Sequence, residues 1–144
     1  MEDYPLASEN KDKYKKQFYS IIKKRNLVGV ANDTKWNELI HFMRNCDDWK
    51  PSYRSLSING YLSEWDVEWF YHLPFPFIGV EWFEIGMEQE INQGKLIKRK
   101  VINHSKWIVE IVKKIGFEFE VYNDIIRIYG YFPKSMDGIN NNQI

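Results

Sequence analysis

Two turn signals constrain the fold of this chain more than any other feature of its sequence. Asn59-Gly60 and Asn123-Asp124 each lie between two segments whose residues have strand character. Asn-Gly is the strongest short signal for a β-hairpin, and Asn-Asp also favours a tight turn. A tight turn joins neighbouring antiparallel strands, so the sequence predicts an antiparallel sheet.

Six segments have the alternating pattern, or the β-branched and aromatic residues, that are typical of strands. They are residues 53–58, 61–72, 77–87, 95–102, 117–121 and 125–131. The segment 77–87 has the strongest strand character, and 95–102 is typical of an edge strand that lysine charges protect from further pairing. Residues 86–94 are polar and bounded by glycines, so we expect a mobile loop there.

Three other segments have apolar residues at helical spacing. They predict helices over residues 11–25, 34–45 and 105–116, the second after the N-cap group Asn32-Asp33-Thr34 and the third ending at Gly116. The predicted order is α-α-β-β-β-β-α-β-β. Helices before and inside a run of hairpin-connected strands predict an α+β domain, with three helices against an antiparallel sheet of about five or six strands.

A chain of 144 residues is long enough to form one domain with its own core. We expect a single domain over residues 1–144, with an ordered core at about 10–133 and a flexible tail at 134–144. Cys46 is the only cysteine, so no internal disulfide can form, and this favours a reducing compartment. The first residues lack an apolar leader, and no apolar run approaches a membrane span of about 18 residues. We therefore expect a cytoplasmic protein.

The middle of the chain separates its charges, although the whole chain has a net charge of zero. Residues 61–92 contain no Lys or Arg, and aromatic residues are interleaved with acidic ones there. An acidic surface with aromatic anchors suits a basic protein partner. The predicted partner-binding residues are Glu64, Trp65, Asp66, Glu68, Trp69, Glu88 and Glu90. Acidic residues at alternate positions of a strand are also typical of a solvated sheet face, and this alternative stays open.

The charge balance and the motifs favour a protein-binding domain. Zero net charge and a near-neutral isoelectric point disfavour general nucleic-acid binding. The sequence has no catalytic, nucleotide-binding or metal-ligand motif. We therefore expect a basic protein as partner, no catalytic residue, no metal and no cofactor.

Two other hypotheses stay open. Glu81 and Glu84 lie within the most hydrophobic strand, where a desolvated carboxylate needs a cationic or hydrogen-bonded partner, and we predict Arg127 in that role. If these three residues and His72 gathered in one pocket, the protein would be an enzyme without a recognisable motif. Alternatively, a small regulatory domain would bind its partner by strand addition along the charged edge at residues 95–102.

Two stretches of the sequence resemble an uncharacterised family of small bacterial proteins of unknown function. They are NDTKWNEL at residues 32–39 and PFPFIGVEWFEI at residues 74–85. The resemblance covers about residues 20–132 and implies no known activity. In its size, its acidic central segment and its lack of catalytic motifs, the chain is also similar to immunity proteins of bacterial toxin systems. That similarity implies an antitoxin-like protein that neutralises a cognate toxin.

Overall fold

The computed structural model describes Ala7 and residues 12–134, and the tail predicted beyond Lys134 lies outside the described residues. Within them, the helices are α1 at Asp12–Arg25, α2 at Asp33–Arg44 and α3 at Ser105–Ile115. Asn32 caps α2, because its side-chain oxygen accepts a hydrogen bond of 2.9 Å from the Lys35 backbone. Gly116 ends α3 in the left-handed conformation, with φ of 99°. The helix predictions are confirmed to within one residue.

The described strands form three antiparallel sheets. They are β1 at Val28–Gly29, β2 at Tyr53–Ser57, β3 at Val80–Gly86, β4 at Glu88–Ile91, β5 at Lys100–Asn103, β6 at Phe119–Tyr122, β7 at Ile125–Tyr129 and β8 at Tyr131–Phe132. The largest sheet has the order β2-β3-β7-β6, and β1-β8 and β4-β5 form two-stranded sheets. The α+β fold class is confirmed, but the predicted single sheet of five or six strands is divided into three.

One face of the four-stranded sheet shares a hydrophobic core with α2 and α3. Trp36 of α2 lies at its centre, with ring centroids 5.0 Å from Phe77 and 4.8 Å from Phe117. The apolar stripes of α2 and α3 and the inward side chains of β3 and β7 complete the core with Leu39, Ile40, Met43, Phe83, Ile85, Ile108, Val112, Ile126 and Ile128. Each buried aromatic ring removes roughly 150–250 Å² from water, so a few rings stabilise a core of this size.

The strand predicted for residues 61–72 is wrong. This segment follows the turn at Gly60, and its ladder pairing with β2 is limited to two isolated bridges, at Leu62 and Asp66. Its alternating acidic residues suggested a sheet face, but the Asp66 and Glu68 side chains accept hydrogen bonds from the segment's own backbone. Such local bonds compete with the pairing that a strand requires.

Two further expectations about the middle of the chain are wrong. β4 occupies the segment 86–94, where a mobile loop was predicted, and it pairs with β5 from Glu88 to Ile91. The predicted edge strand at 95–102 begins only at Lys100. The polar composition of β4 concealed its partly inward residues, since Gln89 is half-buried and its amide oxygen lies 2.9 Å from a ring nitrogen of His104.

Candidate functional site

The segment 61–72, the acidic aromatic loop, exposes six large apolar side chains. Within twelve consecutive residues it carries Tyr61, Leu62, Trp65, Val67, Phe70 and Tyr71, all exposed, with Tyr71 88% accessible. Single exposed hydrophobic residues are normal on any protein, whereas large exposed apolar patches are typical of interaction surfaces, so this loop is the candidate site.

The loop is fixed to the edge of β2 by backbone hydrogen bonds. Tyr53 and Asp66 exchange two, of 2.8 and 2.9 Å, and the Ser63 N–H donates to the Ser55 carbonyl at 2.9 Å. The Tyr53 hydroxyl donates to the Glu68 carbonyl further along the loop. These hydrogen bonds fix the conformation of the loop backbone that carries the exposed side chains.

Trp69 anchors the loop to the core. Its side chain is fully buried, its Nε1–H donates to the Pro51 carbonyl at 2.9 Å, and its ring centroid lies 4.7 Å from that of Tyr53. The prediction that Trp69 belongs to the partner-binding surface is wrong, because a ring with no accessible area cannot touch a partner. The acidic neighbours of Trp69 suggested a surface position, whereas the backbone of the loop turns this one ring inward.

Arg44 of α2 holds the same part of the loop from the other side. Its Nε donates to the Trp69 carbonyl at 2.8 Å, and its Nη2 donates to the Phe70 carbonyl at 3.1 Å. The guanidinium carbon also lies 4.8 Å from the centroid of the Phe70 ring, within the range of a cation–π contact. The Phe70 ring is thus kept at the surface by a cation beneath it.

Two carboxylates of the loop are bound by hydrogen bonds within it. Asp66 accepts from the backbone of Val67 and Glu68 and lies 2.8 Å from Nδ1 of His72. Glu68 accepts from the backbone of Tyr71 and His72, at 2.6 and 2.8 Å. Desolvation is the largest single influence and raises the pKa of each carboxyl, but the hydrogen bonds together outweigh it and lower both pKa values. Both groups are therefore anionic at neutral pH.

A cleft of about 410 Å³ lies behind the loop. Its polar lining comes from the hydroxyls of β2 and of the loop and from the loop's carboxylates. Its apolar lining comes from aromatic rings of α1, β2 and the loop, and from Pro74-Phe75-Pro76 before β3, the proline segment. The lining includes Phe18, Tyr53, Ser55, Ser57, Tyr61, Ser63, Glu64, Asp66, His72 and Phe75. The cleft and the acidic aromatic loop therefore share Tyr61, Ser63, Glu64, Asp66 and His72.

The Asp66–His72 pair beside serine residues resembles part of a hydrolytic triad, but the hydroxyls are not placed to complete one. The Ser63 hydroxyl donates to the Glu64 carbonyl at 3.0 Å and accepts from the Ser55 backbone at 2.9 Å. Among the described residues, no serine hydroxyl forms a hydrogen bond with the His72 ring. A nucleophile needs a base within hydrogen-bond reach, and the described residues do not form that contact here.

The structure brings four of the seven predicted partner-binding residues together. Glu64, Trp65, Asp66 and Glu68 all lie in the acidic aromatic loop, and Trp65 is exposed while its ring centroid lies 5.0 Å from the guanidinium carbon of Arg54. The other two acidic residues lie elsewhere. Glu88 and Glu90 belong to β4, in a different sheet, and Glu90 pairs with Arg99 at 2.8 Å.

The three predicted buried polar residues are all buried and form ion pairs. Glu84 lies between two guanidinium groups, with Arg54 Nε at 2.7 Å and Arg127 Nη2 at 2.7 Å, so Arg127 is the partner that the sequence predicted. Glu81 pairs instead with Arg25 at the end of α1, through two bonds of 3.0 Å. The register between β2 and β3 shifts next to Glu81, and this irregularity leaves it at a bulge in the sheet.

The cluster proposed for the enzyme hypothesis is not assembled. Glu81 pairs with Arg25, and Glu84 pairs with Arg54 and Arg127. His72 lies beside Asp66 in the acidic aromatic loop. The four residues are therefore divided between separate ion pairs and do not share one pocket.

The sequence missed several residues of the cleft. Ser55 and Ser57 alternate with buried residues of the predicted strand 53–58, so their common face was readable, but nothing in the sequence indicated an open space beside them. Phe18 lies on the apolar stripe of α1, and such a stripe predicts core contacts, which Phe18 makes with the buried cluster of Leu27, Ile58 and Tyr131. Whether a ring at the end of a stripe meets the core or a cleft depends on tertiary packing, which a local pattern does not contain.

Among the described residues, no group of three or more His, Cys, Asp and Glu side chains is arranged to hold a metal ion. No helix in the described part of the chain is long and apolar enough to cross a membrane.

The fold and the site define a small α+β domain that exposes an acidic aromatic loop beside a polar and aromatic cleft. Residues 18–135 match the model of a family of unknown function, DUF6678, and the chain belongs to that family. The predicted resemblance to an uncharacterised family is thereby confirmed. No curated protein and no solved structure matches the chain.

Proposed function

We propose that this protein is a cytoplasmic protein-binding domain of the immunity or antitoxin type, which neutralises a basic partner by docking the acidic aromatic loop on it. The observation that carries the proposal is the group of six exposed large hydrophobic side chains on a loop that the core holds in place. Truncation of an aromatic anchor at the centre of an interface typically costs 2 kcal/mol or more of binding free energy.

The fixed path of the loop supports this proposal. A flexible segment would lose conformational entropy on binding, at about 0.5–1.5 kcal/mol for each immobilised side chain, in addition to the ordering of its backbone. The buried Trp69 ring and the two Arg44 hydrogen bonds already order the loop backbone in the free protein. More of the contact energy of Trp65, Phe70 and Tyr71 therefore remains available for affinity.

The charge of the loop supports a basic partner. Glu64, Asp66 and Glu68 lie within it, and residues 61–92 contain no Lys or Arg. Complementary charges raise the rate of association and suppress acidic competitors, and salt screens both effects. The exposed rings would then determine how long the complex lasts, because most differences in affinity between related complexes lie in the dissociation rate.

The proposal is tested by co-purification with the product of the adjacent gene at low and at high salt. We expect a complex that weakens as the salt concentration rises, and that weakens further in Glu64→Lys, which reverses an exposed charge of the loop. Glu110→Lys is the matched control, since Glu110 is an exposed residue of α3 outside the loop. A complex that responds equally to both variants, or no complex at either salt concentration, would contradict the proposal.

A further inference from the structure

We infer that the cleft behind the acidic aromatic loop binds the guanidinium group of an arginine side chain that the partner protein inserts. The inference rests on the proposed function, because the arginine belongs to the protein on which the loop docks. It adds the chemical group that the cleft recognises and the residues that recognise it. Three features of the lining support it, and each concerns a different part of the cleft.

The first feature is the anionic rim without a competing cation. Glu64 and Asp66 line the cleft, and none of the described lining residues is Lys or Arg. The Glu64 carboxylate has no hydrogen-bond or ion-pair partner among the described residues. Asp66 accepts two backbone N–H groups and lies against the His72 ring, so one of the roughly four lone-pair positions of that carboxylate stays open. A guanidinium group carries five donors in a planar fork, which suits two separate carboxylate acceptors.

The second feature is a hydroxyl in the lining of the cleft to which no described residue is hydrogen-bonded. Ser55 is 5% exposed and lines the cleft, and its side chain has no hydrogen-bond partner among the described residues. The Ser55 backbone N–H donates to the Ser63 hydroxyl, and the Ser55 hydroxyl takes no part in this bond. The hydroxyl oxygen has lone pairs open to the cleft, and an N–H donor that enters the cleft would bind it in place of water. This observation is independent of the acidic rim.

The third feature is the aromatic wall. Phe18 from α1, Phe75 from the proline segment and Tyr61 from the loop line the same space as the carboxylates. Aromatic faces attract a guanidinium group and also cover the methylene stem of arginine. The volume of about 410 Å³ lies in the range of about 300–1,000 Å³ that is typical of ligand sites, so it accommodates one long side chain.

The inference is tested by titrating the full-length protein, labelled with ¹⁵N, with Nα-acetyl-arginine amide while amide chemical shifts are recorded. The matched probe is Nα-acetyl-citrulline amide, which has nearly the same shape but no charge. We expect the arginine probe to shift the amide signals of Ser55, Ser57 and Tyr61, with an affinity about tenfold above that of the citrulline probe. Equal affinities, or shifts outside the cleft only, would overturn the inference.

Two substitutions assign the recognition to individual groups. Glu64→Gln removes a rim charge from an exposed side chain, and Ser55→Ala removes the Ser55 hydroxyl. We expect each to weaken the arginine probe several-fold, while Glu110→Gln leaves its affinity unchanged. The same spectra would show whether Ser55→Ala disturbs the fold. In that case Glu64→Gln alone is the test, and an unchanged affinity for the arginine probe in Glu64→Gln overturns the inference.

The outcomes also separate this inference from the proposed function. If the arginine probe fails to bind but Tyr71→Ala abolishes the complex with the partner, the cleft assignment is wrong and the proposed function stands. Tyr71 is suited to this comparison because it is the most exposed ring of the loop and does not line the cleft. If the arginine probe binds in the cleft but Tyr71→Ala and Trp65→Ala leave the partner complex intact, the docking surface is wrong and the cleft site stands.

Discussion

The acidic aromatic loop and the face of the four-stranded sheet opposite α2 and α3 both carry glutamates and aromatic rings. The sheet face buries them, whereas the loop exposes most of them. On the sheet, Glu84 lies between Arg54 and Arg127, and the Arg127 guanidinium carbon lies 3.9 Å from the centroid of the buried Trp82 ring. On the loop, the carboxylates meet backbone N–H groups and a histidine, and most of the rings are exposed. Pairing with cations therefore distinguishes charge that supports the fold from charge that is available to a partner.

This comparison predicts that stability and binding separate in variants of the two regions. Removing one member of a buried ion pair leaves an uncompensated charge and typically destabilises a protein by about 3–5 kcal/mol. Substitutions of exposed residues away from special features usually change stability by less than about 0.5 kcal/mol. Sheet variants should therefore unfold more easily, and loop variants should stay folded but lose the partner.

The largest expected effect comes from the sheet. Arg127→Met leaves Glu84 paired with Arg54 alone of these two arginines and removes the cation that lies over the Trp82 ring. We expect the free energy of unfolding to fall by about 3–5 kcal/mol, measured by urea denaturation. Arg99→Met is the matched control, because the Arg99–Glu90 pair is mostly exposed, and it should change the value by less than about 1 kcal/mol. Equal effects of the two variants would contradict the distinction.

An intermediate effect is expected where α2 meets the loop. Arg44→Met removes the two hydrogen bonds to the Trp69 and Phe70 carbonyls, and hydrogen bonds to charged groups contribute about 1.5–3 kcal/mol each. Because the bond to Phe70 is exposed to solvent, we expect a loss below the sum of two such bonds, about 2–3 kcal/mol in the free energy of unfolding, and faster amide hydrogen exchange in residues 66–72. If the stability falls while exchange in the loop is unchanged, Arg44 supports the core and does not order the loop.

A pH-dependent effect is expected at Glu120 of β6. The Lys134 ammonium, the Tyr122 hydroxyl and the Tyr129 hydroxyl bind this carboxylate and, against its partial desolvation, lower its pKa from 4.5 to about 2. A lowered pKa in the folded state means that the contribution to stability is complete above about pH 4.5 and is lost as the pH falls towards 2. The stability difference between the wild type and Glu120→Gln should therefore shrink in acid. A difference that stays constant down to about pH 2 would show that the carboxylate is not ionised in these bonds.

The smallest expected effect on stability is at the tip of the loop. Tyr71 is 88% exposed, so Tyr71→Ala should change the free energy of unfolding by less than about 0.5 kcal/mol. Thermal unfolding of both variants measures this, with Tyr19→Ala as the reference because it truncates an exposed ring of α1. A large loss in Tyr71→Ala but not in Tyr19→Ala would show that the Tyr71 ring is structural.

Local patterns predicted the helices and the turns, because helical spacing, capping residues and turn pairs act over a few residues. The same reasoning failed in residues 61–72, where Glu64, Asp66 and Glu68 alternate as on a sheet face. Their spacing does not show that two of them bind the local backbone, or that the Trp69 ring turns inward. In an irregular segment, tertiary contacts determine which side chains point inward, and here they include the hydrogen bonds that Arg44 donates to the loop backbone.

Long-range ion pairs show the same limit. The Glu84–Arg127 pair was predictable because both residues lie in strands with a clear strand pattern. The Glu81–Arg25 pair joins a strand to a helix end that is 56 residues away in the chain, and no periodicity connects them. The acidic and aromatic character of the candidate site was readable in the sequence, whereas the cleft beside it required the packing of Phe18 and Phe75 around β2.

The most direct test of the central claim is the dissociation constant of the complex with the adjacent gene product, measured for loop and control variants. The account predicts that Trp65→Ala combined with Tyr71→Ala weakens binding by at least about 30-fold, equivalent to about 2 kcal/mol, while the variant stays folded. Tyr19→Ala should bind as the wild type does. If the loop variant binds the partner as tightly as the wild type, the acidic aromatic loop is not the docking surface.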